Sequence, residues 1–352
     1  MIGEKILTII TLNWNGWKDT IECLSSILNS FYKNYNIICI DNSSSDNSVN
    51  KIKEWLKNPN RHPIETKFSE YVLPLKKNPI PYIELEFKNG QLENFSPDKK
   101  TKIVLIKSDR NLGFATANNL GIKIAINIFR SKYIFLLNND TVIASDALQN
   151  LVNILEENKN IGVAQAAIYN YSDKNRLIHA GGYVLFWGQY KYYKSISEHE
   201  LKKIKFASGC AICMRSEVLS KYGYLSEKFF FGEEDFEFSL RMNHHRIGMV
   251  CVSDCKVYHK ISVSSKKMIK NFQRSVVLYS LNRMVNMKDY YPVLIWYIWR
   301  IPALIYFTVL LIFHYKVPII KSLKSICIVW YFSSRIKDMK KKNFDLIFEK
   351  FE

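Results

Sequence analysis

Cysteine is scarce in this chain. Seven cysteines among 352 residues are too few for a disulfide framework in a chain this long. Collagen-like and low-complexity tracts are missing too, which excludes fibrous and disordered classes. The start carries no secretory signal. Its apolar run, residues 6–12, is shorter than a signal core, and Asn13-Trp14-Asn15-Gly16 stands where small cleavage-site residues would be needed. That start reads as a buried strand, and the chain is expected to stay in the cytoplasm. Acidic residues are also in short supply: 32 Asp and Glu face 50 Lys and Arg, a net charge of +18. Residues 256–352 alone hold 18 Lys and Arg against 5 Asp and Glu. Such a field attracts nucleic acid and anionic lipid alike. Here it sits beside a long apolar run and not in a recognisable nucleic-acid module, so a membrane surface is expected and nucleic acid is not.

Hydrophobic residues make up 48% of the chain and aromatics 14%, ample for one large core plus an appendage. Cys210-Ala-Ile-Cys213 and Cys251-Val-Ser-Asp-Cys255 have spacings that can bind zinc. Each pair lies within an apolar strand-like run (206–214 and 249–257), where cysteine acts as a small hydrophobe, and no zinc is expected.

The first third alternates strand and helix signals. Residues 6–11, 37–40, 103–106 and 133–137 are apolar, β-branched runs of the kind buried in parallel sheets. Between them, 17–28, 48–56 and a stretch ending near Phe129 have helical character. This pattern predicts a parallel sheet with helices on both faces, and ligands in such sheets bind beyond the carboxyl ends of the strands. Asp41, Asn111 and Asp140 all stand directly after strands and are expected to share one cleft. Residues 58–102 break the alternation with six prolines and a hairpin signal over 82–87 turning at Asn89-Gly90, and read as an inserted surface loop. Strands are predicted at 161–168, 177–184, 206–214 and 249–258, with a helix over 235–245.

The ordered set of motifs is more telling than any one of them. Thr11-Leu12-Asn13-Trp14-Asn15-Gly16, Asp41-Asn42-Ser43-Ser44-Ser45-Asp46, Asn111-Leu112-Gly113-Phe114 through Asn118-Asn119, and Asn138-Asn139-Asp140 come first. Ser208-Gly209-Cys210, Gly232-Glu233-Glu234-Asp235 and Val257-Tyr258-His259 follow. In this order and at these separations, residues 5–262 resemble the family 2 glycosyltransferases, inverting enzymes of the GT-A fold, and within them a rhamnosyltransferase-like branch. The resemblance implies an α/β, GT-A-type nucleotide-sugar-binding fold with a mostly parallel central sheet over 1–262 (58–102 an insert). A helical, membrane-associating region would occupy 263–352.

A nucleotide sugar presents a base to recognise, a diphosphate to neutralise and an anomeric carbon to attack. Asp41 can accept the imide N–H of uracil or thymine, the base-reading role the resemblance implies. Thr11, Asn13, Asn15, Asn111, Asn118 and Asn139 are further candidates for the nucleotide-sugar pocket, and Gly113 permits close backbone approach. Asp140 matches the last aspartate of the family's metal motif, here Asn-Asn-Asp, and His259 matches a position that completes the metal shell; the ion implied is Mg²⁺ or Mn²⁺. Inverting transfer needs a base for the acceptor hydroxyl. Asp235 is the first candidate, with Glu234 and Glu233 as rivals at the same helix start. By resemblance, Gly209 and His179 shape the acceptor pocket.

Residues 293–313 are about as long as a membrane span, which needs roughly 20 residues. Arg300 and Pro302 interrupt them, and Trp296, Tyr297, Trp299 and Tyr306 favour headgroups. Residues 319–332 with Lys321, Lys324 and Arg335 resemble an interfacial helix. The expected activity is therefore transfer of a sugar from a UDP- or dTDP-sugar to a glycan or lipid-linked acceptor at the cytoplasmic face of the membrane. The contact there is peripheral, monotopic or single-span. The alternative is an inactive family member serving as a membrane-bound scaffold.

Overall fold

The computed structural model describes residues 7–75, 79–97, 101–185, 187–260 and 272–349. Chain order begins β1 (Leu7–Asn13), α1 (Trp17–Asn29), β2 (Tyr35–Asp41), α2 (Ser48–Lys57), the single turn α3 (Ser69–Val72), β3 (Tyr82–Lys88), β4 (Gln91–Leu92), β5 (Ile103–Ser108), α4 (Phe114–Asn127) and β6 (Tyr133–Leu137). It continues with β7 (Thr141–Ile143), α5 (Ala147–Glu157), β8 (Ile161–Asn170), β9 (Leu177–His179), β10 (Gly182–Val184), β11 (Tyr190–Tyr192), β12 (Leu201–Lys203), β13 (Ala211–Arg215), α6 (Ser216–Tyr222), α7 (Glu234–His244) and β14 (Gly248–His259).

The main sheet has the order β12-β14-β8-β13-β6-β1-β2-β5-β3-β4. Strands β6, β1, β2 and β5 pair in parallel. Their unbroken apolar runs follow from burial on both faces: Ile37 and Cys39 enter the core beneath α1, α2 and α5, while Ile38 and Ile40 enter the one beneath α4. Parallel pairing brings the carboxyl ends of these strands to one edge. Antiparallel β13 is wedged between β6 and β8, and β14 runs parallel to β8. The run expected as one strand over 177–184 is divided at Gly181, and 206–214 becomes a strand only from Ala211. Cys213, Cys251 and Cys255 are buried in the two cores, where burial pushes their thiols up.

The 58–102 segment is more than a surface loop. Tyr82 through Phe87 lie parallel to β5, in register from Tyr82↔Ile103 to Phe87↔Ser108, and lengthen the sheet. Asn89 and Gly90, both at positive φ (53° and 81°), turn the chain into β4. Nearer its start, Phe68 and Val72 are buried with Val142 and Tyr258, and the Ser25 hydroxyl donates to the Val72 carbonyl at 2.8 Å.

Among the described residues, four helices form the C-terminal layer: α8 (Phe272–Met287), α9 (Val293–Val309, continued by a π-turn Leu310–His314), α10 (Ile319–Arg335) and α11 (Lys341–Glu349). The boundary expected at 262/263 lies outside the described residues. The layer shares a core with the rest of the chain, in which Phe206, Phe229, Phe230 and Phe236 pack with Val277, Leu281, Phe307 and Val329. Arg300 is buried, donating to the Trp330 carbonyl (2.6 Å) and Ser333 Oγ (3.0 Å). The headgroup expectation needs correction at two positions. Trp296 and Trp299 turn inward because their indole N–H groups find partners there, the carbonyls of Met284 (2.9 Å) and Trp187 (2.8 Å). Tyr297 and Tyr306 remain exposed.

Candidate active site

A cleft of about 310 Å³ opens at the carboxyl edge of the parallel strands. Asn111, Gly113, Asn139, Asp140, Gly209, Glu234, Asp235 and His259 line it, together with Leu12, Trp14, Asn42, Asn138 and Phe231. They come from the carboxyl ends of strands, the start of α7 and the loops that flank them. Thr11, Asn13, Asn15, Asp41, Asn118 and His179 are not among its lining residues.

Those six are placed differently. Thr11 and Asp41 are buried. Asp41 Oδ2 accepts from Asn13 Nδ2 at 2.6 Å, and its Oδ1 accepts the Ser44 N–H at 2.9 Å. Asn13 Oδ1 in turn accepts from the Thr20 hydroxyl (2.8 Å), which accepts from Asn139 Nδ2 (2.9 Å). One chain of hydrogen bonds thus ties the ends of β1, β2 and β6 together. Asn15, at φ 51°, accepts the N–H groups of Ser45 and Asp46 and fastens the first two loops to each other. Asn118 donates to the Phe114 carbonyl one turn back in its own helix, at 3.0 Å. His179 stacks on Tyr192 with ring centroids 4.2 Å apart, and burial, then His259 and Lys194, push it down to about 3, which keeps it neutral. It is linked to the cleft through Gln165, which contacts His179 Nδ1 at 3.4 Å and accepts the Ser208 N–H at 2.7 Å.

On the nucleotide side, Asn42 and Asn111 brace one another: Asn42 Nδ2 donates to Asn111 Oδ1 (3.0 Å), and Asn42 Oδ1 accepts the Leu112 N–H (2.8 Å). Asn42 stood in a quoted motif, yet nothing in its spacing set it apart from the neighbouring serines. Gly113 has φ 78° and ψ 177°. A Cβ there would stand 2.5 Å from the Phe230 carbonyl oxygen, so the close approach it allows is to the acidic loop's backbone.

Asp140 and His259 meet at 3.0 Å, Oδ1 to Nε2. Burial works against charge on the ring, but the Cys210 sulfur and the Asp140 carboxylate outweigh it and raise His259 to about 11. A carboxylate oxygen beside an imidazole nitrogen suits a divalent ion that displaces the ring proton. Among the described residues no group of three or more His, Cys, Asp or Glu gathers for one.

Across the loop, Glu234 and Asp235 open α7. Burial raises both carboxyls, and Asp235 raises Glu234 further. Asp235 Oδ2 accepts the Gly209 N–H at 3.3 Å, whereas Glu234 Oε2 is buried with no hydrogen-bond partner. Of the three adjacent acids, Glu233 is engaged elsewhere, paired with Arg283.

The model of the glycosyl transferase family 2 domain matches residues 8–71 and 90–223. The chain belongs to glycosyl transferase family 2. The matched part holds Asp41, Asn111 and Asp140; Asp235 and His259 lie beyond it. A low-salt glycan biosynthesis hexosyltransferase of Haloferax volcanii is 25% identical over 166 residues, 44% of this chain. The chain spans half the length of that curated relative. Two solved structures share the fold. GalNAc-T7, solved with UDP, GalNAc and Mn²⁺, superposes with a TM-score of 0.52 at 14% identity, over 72% of this chain and 43% of its own. The mannosyltransferase PcManGT of Pyrobaculum calidifontis, solved with GDP-Man and Mn²⁺, gives 0.51 at 12% identity, over 94% of this chain and 75% of its own. The fold is therefore GT-A, as the motifs implied.

Proposed function

We propose that this family 2 member is an inverting glycosyltransferase of the rhamnosyltransferase-like branch. It moves a hexosyl or deoxyhexosyl group from a UDP- or dTDP-sugar to a glycan or lipid-linked saccharide acceptor in cell-surface polysaccharide or glycolipid synthesis. One observation carries the reading: a single cleft is lined by Asp140 and His259 and by two adjacent acids, Glu234, buried, and Asp235, half-buried.

Asp235 takes the proton of the acceptor hydroxyl as that oxygen attacks the anomeric carbon and the bond to the diphosphate breaks. Its raised pKa makes it a stronger base than an exposed aspartate, while Glu234, raised further, holds its proton. Asp140 and His259 would hold Mg²⁺ or Mn²⁺, which supplies positive charge to the departing nucleoside diphosphate. That GalNAc-T7 and PcManGT were solved with Mn²⁺ supports this assignment. Asp41, buried and held by Asn13 and Ser44, keeps lone pairs for the imide N–H of the base once the loops over it part.

A membrane surface completes the reading. Leu294, Ile298, Ile301 and Ile305 form a stripe along α9, each between 55 and 72% exposed, beside exposed Phe313, Ile320 and Leu323. No Asp or Glu occurs between residues 290 and 337, and Lys316, Lys321 and Lys324 are exposed there. Val293–His314 is the one helix among the described residues long and apolar enough to cross a bilayer. Its other face is packed against protein, and Arg300 is bound there. This one-sidedness favours a helix lying in the cytoplasmic leaflet, close to a lipid-linked acceptor.

The test is thermal stability with UDP, dTDP or GDP, each with Mn²⁺. A melting shift with UDP or dTDP that vanishes on chelation and in Asp140→Asn is expected. No shift with any nucleotide would leave the scaffold alternative in its place.

A further inference from the structure

Glu233 adopts a conformation that its side chain disfavours. It sits at φ 80°, ψ −19°, directly after Gly232 at φ 79°. A left-handed non-glycine residue is strained and persists only where its surroundings enforce it. Here the enforcement comes from α8, in the C-terminal layer. Arg283 is fully buried and grips the Glu233 carboxylate with two nitrogens, Nε to Oε1 at 2.5 Å and Nη2 to Oε2 at 3.2 Å. Its other donors reach the Gly188 carbonyl (2.6 Å), Gln189 Oε1 (3.0 Å) and the Tyr279 hydroxyl (3.0 Å). The guanidinium lies 3.7 Å from the centre of the Phe236 ring. On the same helix, Asn286 donates to Glu233 Oε1 (2.9 Å) and Asn282 to the Phe231 carbonyl (2.9 Å). Removing one partner of such a pair leaves the other charge buried and uncompensated.

We infer that Arg283 is a positioning residue of the active site: through Glu233 it holds the left-handed turn that presents Glu234 and Asp235 to the cleft, and it balances the third carboxylate beside them. The C-terminal layer is then part of the reaction centre as well as its anchor. This rests on the reading of Asp235 as base. The other titratable groups facing Asp235 and Glu234 are Tyr190 and Tyr192 of β11, Cys210 ahead of β13, and Asp140 and His259, which line the same cleft. Tyr279 of α8 faces the Glu233–Arg283 pair.

The charge effect has a sign. Glu233 raises the Asp235 pKa and Arg283 lowers it. Arg283→Met should move the Asp235 midpoint up by about one pH unit or more, Glu233→Gln should move it down, and the double variant should return near the wild type. Carboxyl ¹³C NMR of the full chain, assigned with Glu234→Gln and Asp235→Asn, reads these midpoints without substrate. The acid limb of nucleotide release from UDP- and dTDP-sugars with Mn²⁺ should move in parallel. Arg283→Lys keeps the charge but not the two-nitrogen grip, so its midpoint should stay while kcat falls several-fold. If Arg283→Met does not fold, Glu233→Gln and Arg283→Lys carry the test. Unmoved midpoints in folded Arg283→Met and Glu233→Gln, or an undiminished kcat in Arg283→Lys, overturn the inference. A wild type that releases no nucleotide refutes the proposed function instead, and the NMR midpoints still decide the role of Arg283.

Discussion

Alanine at Gly113 tests how the nucleotide loop and the acidic loop are joined. The glycine occupies φ 78°, ψ 177°, a region almost closed to residues with a Cβ, at a cost of about 1–3 kcal/mol. The added methyl would also stand 2.5 Å from the Phe230 carbonyl oxygen and 2.9 Å from the Phe230 ring. That carbonyl accepts the Phe114 N–H at 3.3 Å, so its retreat would sacrifice a hydrogen bond worth about 1 kcal/mol. Together these give a destabilisation of about 3 kcal/mol, or a fall in Tm of about 4 °C for a chain of this length. Differential scanning fluorimetry of ligand-free Gly113→Ala reads it directly. Nucleotide release should fall as well, because Phe230 carries the loop that leads to Asp235. If the glycine served only to admit a nucleotide, the ligand-free variant would melt like the wild type and lose only the nucleotide-induced shift. That outcome would refute the reasoning from Phe230.

Two further outcomes follow from the buried acids and the apolar stripe. Burial and Asp235 hold the Glu234 carboxyl above its ordinary value, so the folded state binds this proton more tightly than the unfolded chain. The resulting stability is present in acid, below the ordinary carboxylate value, and is lost as pH rises through the raised one. Glu234→Gln should therefore match the wild type in Tm near pH 5 and melt higher at pH 9; equal melting at both would show that this carboxyl is not held protonated. Leu294→Asp combined with Ile301→Asp should abolish flotation with vesicles containing anionic phospholipid while leaving the soluble fold unchanged by circular dichroism. Retained flotation would remove α9 from the membrane contact.

Local sequence was enough for what local forces determine. The runs that became β1, β2, β5 and β6 were legible because strands buried on both faces must be apolar throughout. Asn111 and Asp140 could be assigned to one cleft because parallel strands end on the same edge. The start of α7 was visible in its cluster of acids. Everything that depended on partners distant in the chain was hidden. Residues 82–88 read as half of a surface hairpin until their parallel pairing with β5 made them a sheet strand. Trp296 and Trp299 looked like headgroup anchors until carbonyls twelve and more residues away accepted their N–H groups. Asp235 led two rival acids in sequence, Glu233 and Glu234, with nothing local to tell the rivals apart; Arg283, fifty residues on, engages Glu233 and leaves the other two to the cleft. Periodicity records which side of an element is dry, a local property of every residue. Which buried charge meets which is settled only when distant elements pack, because the cost of an unpaired charge is felt only once water has been excluded.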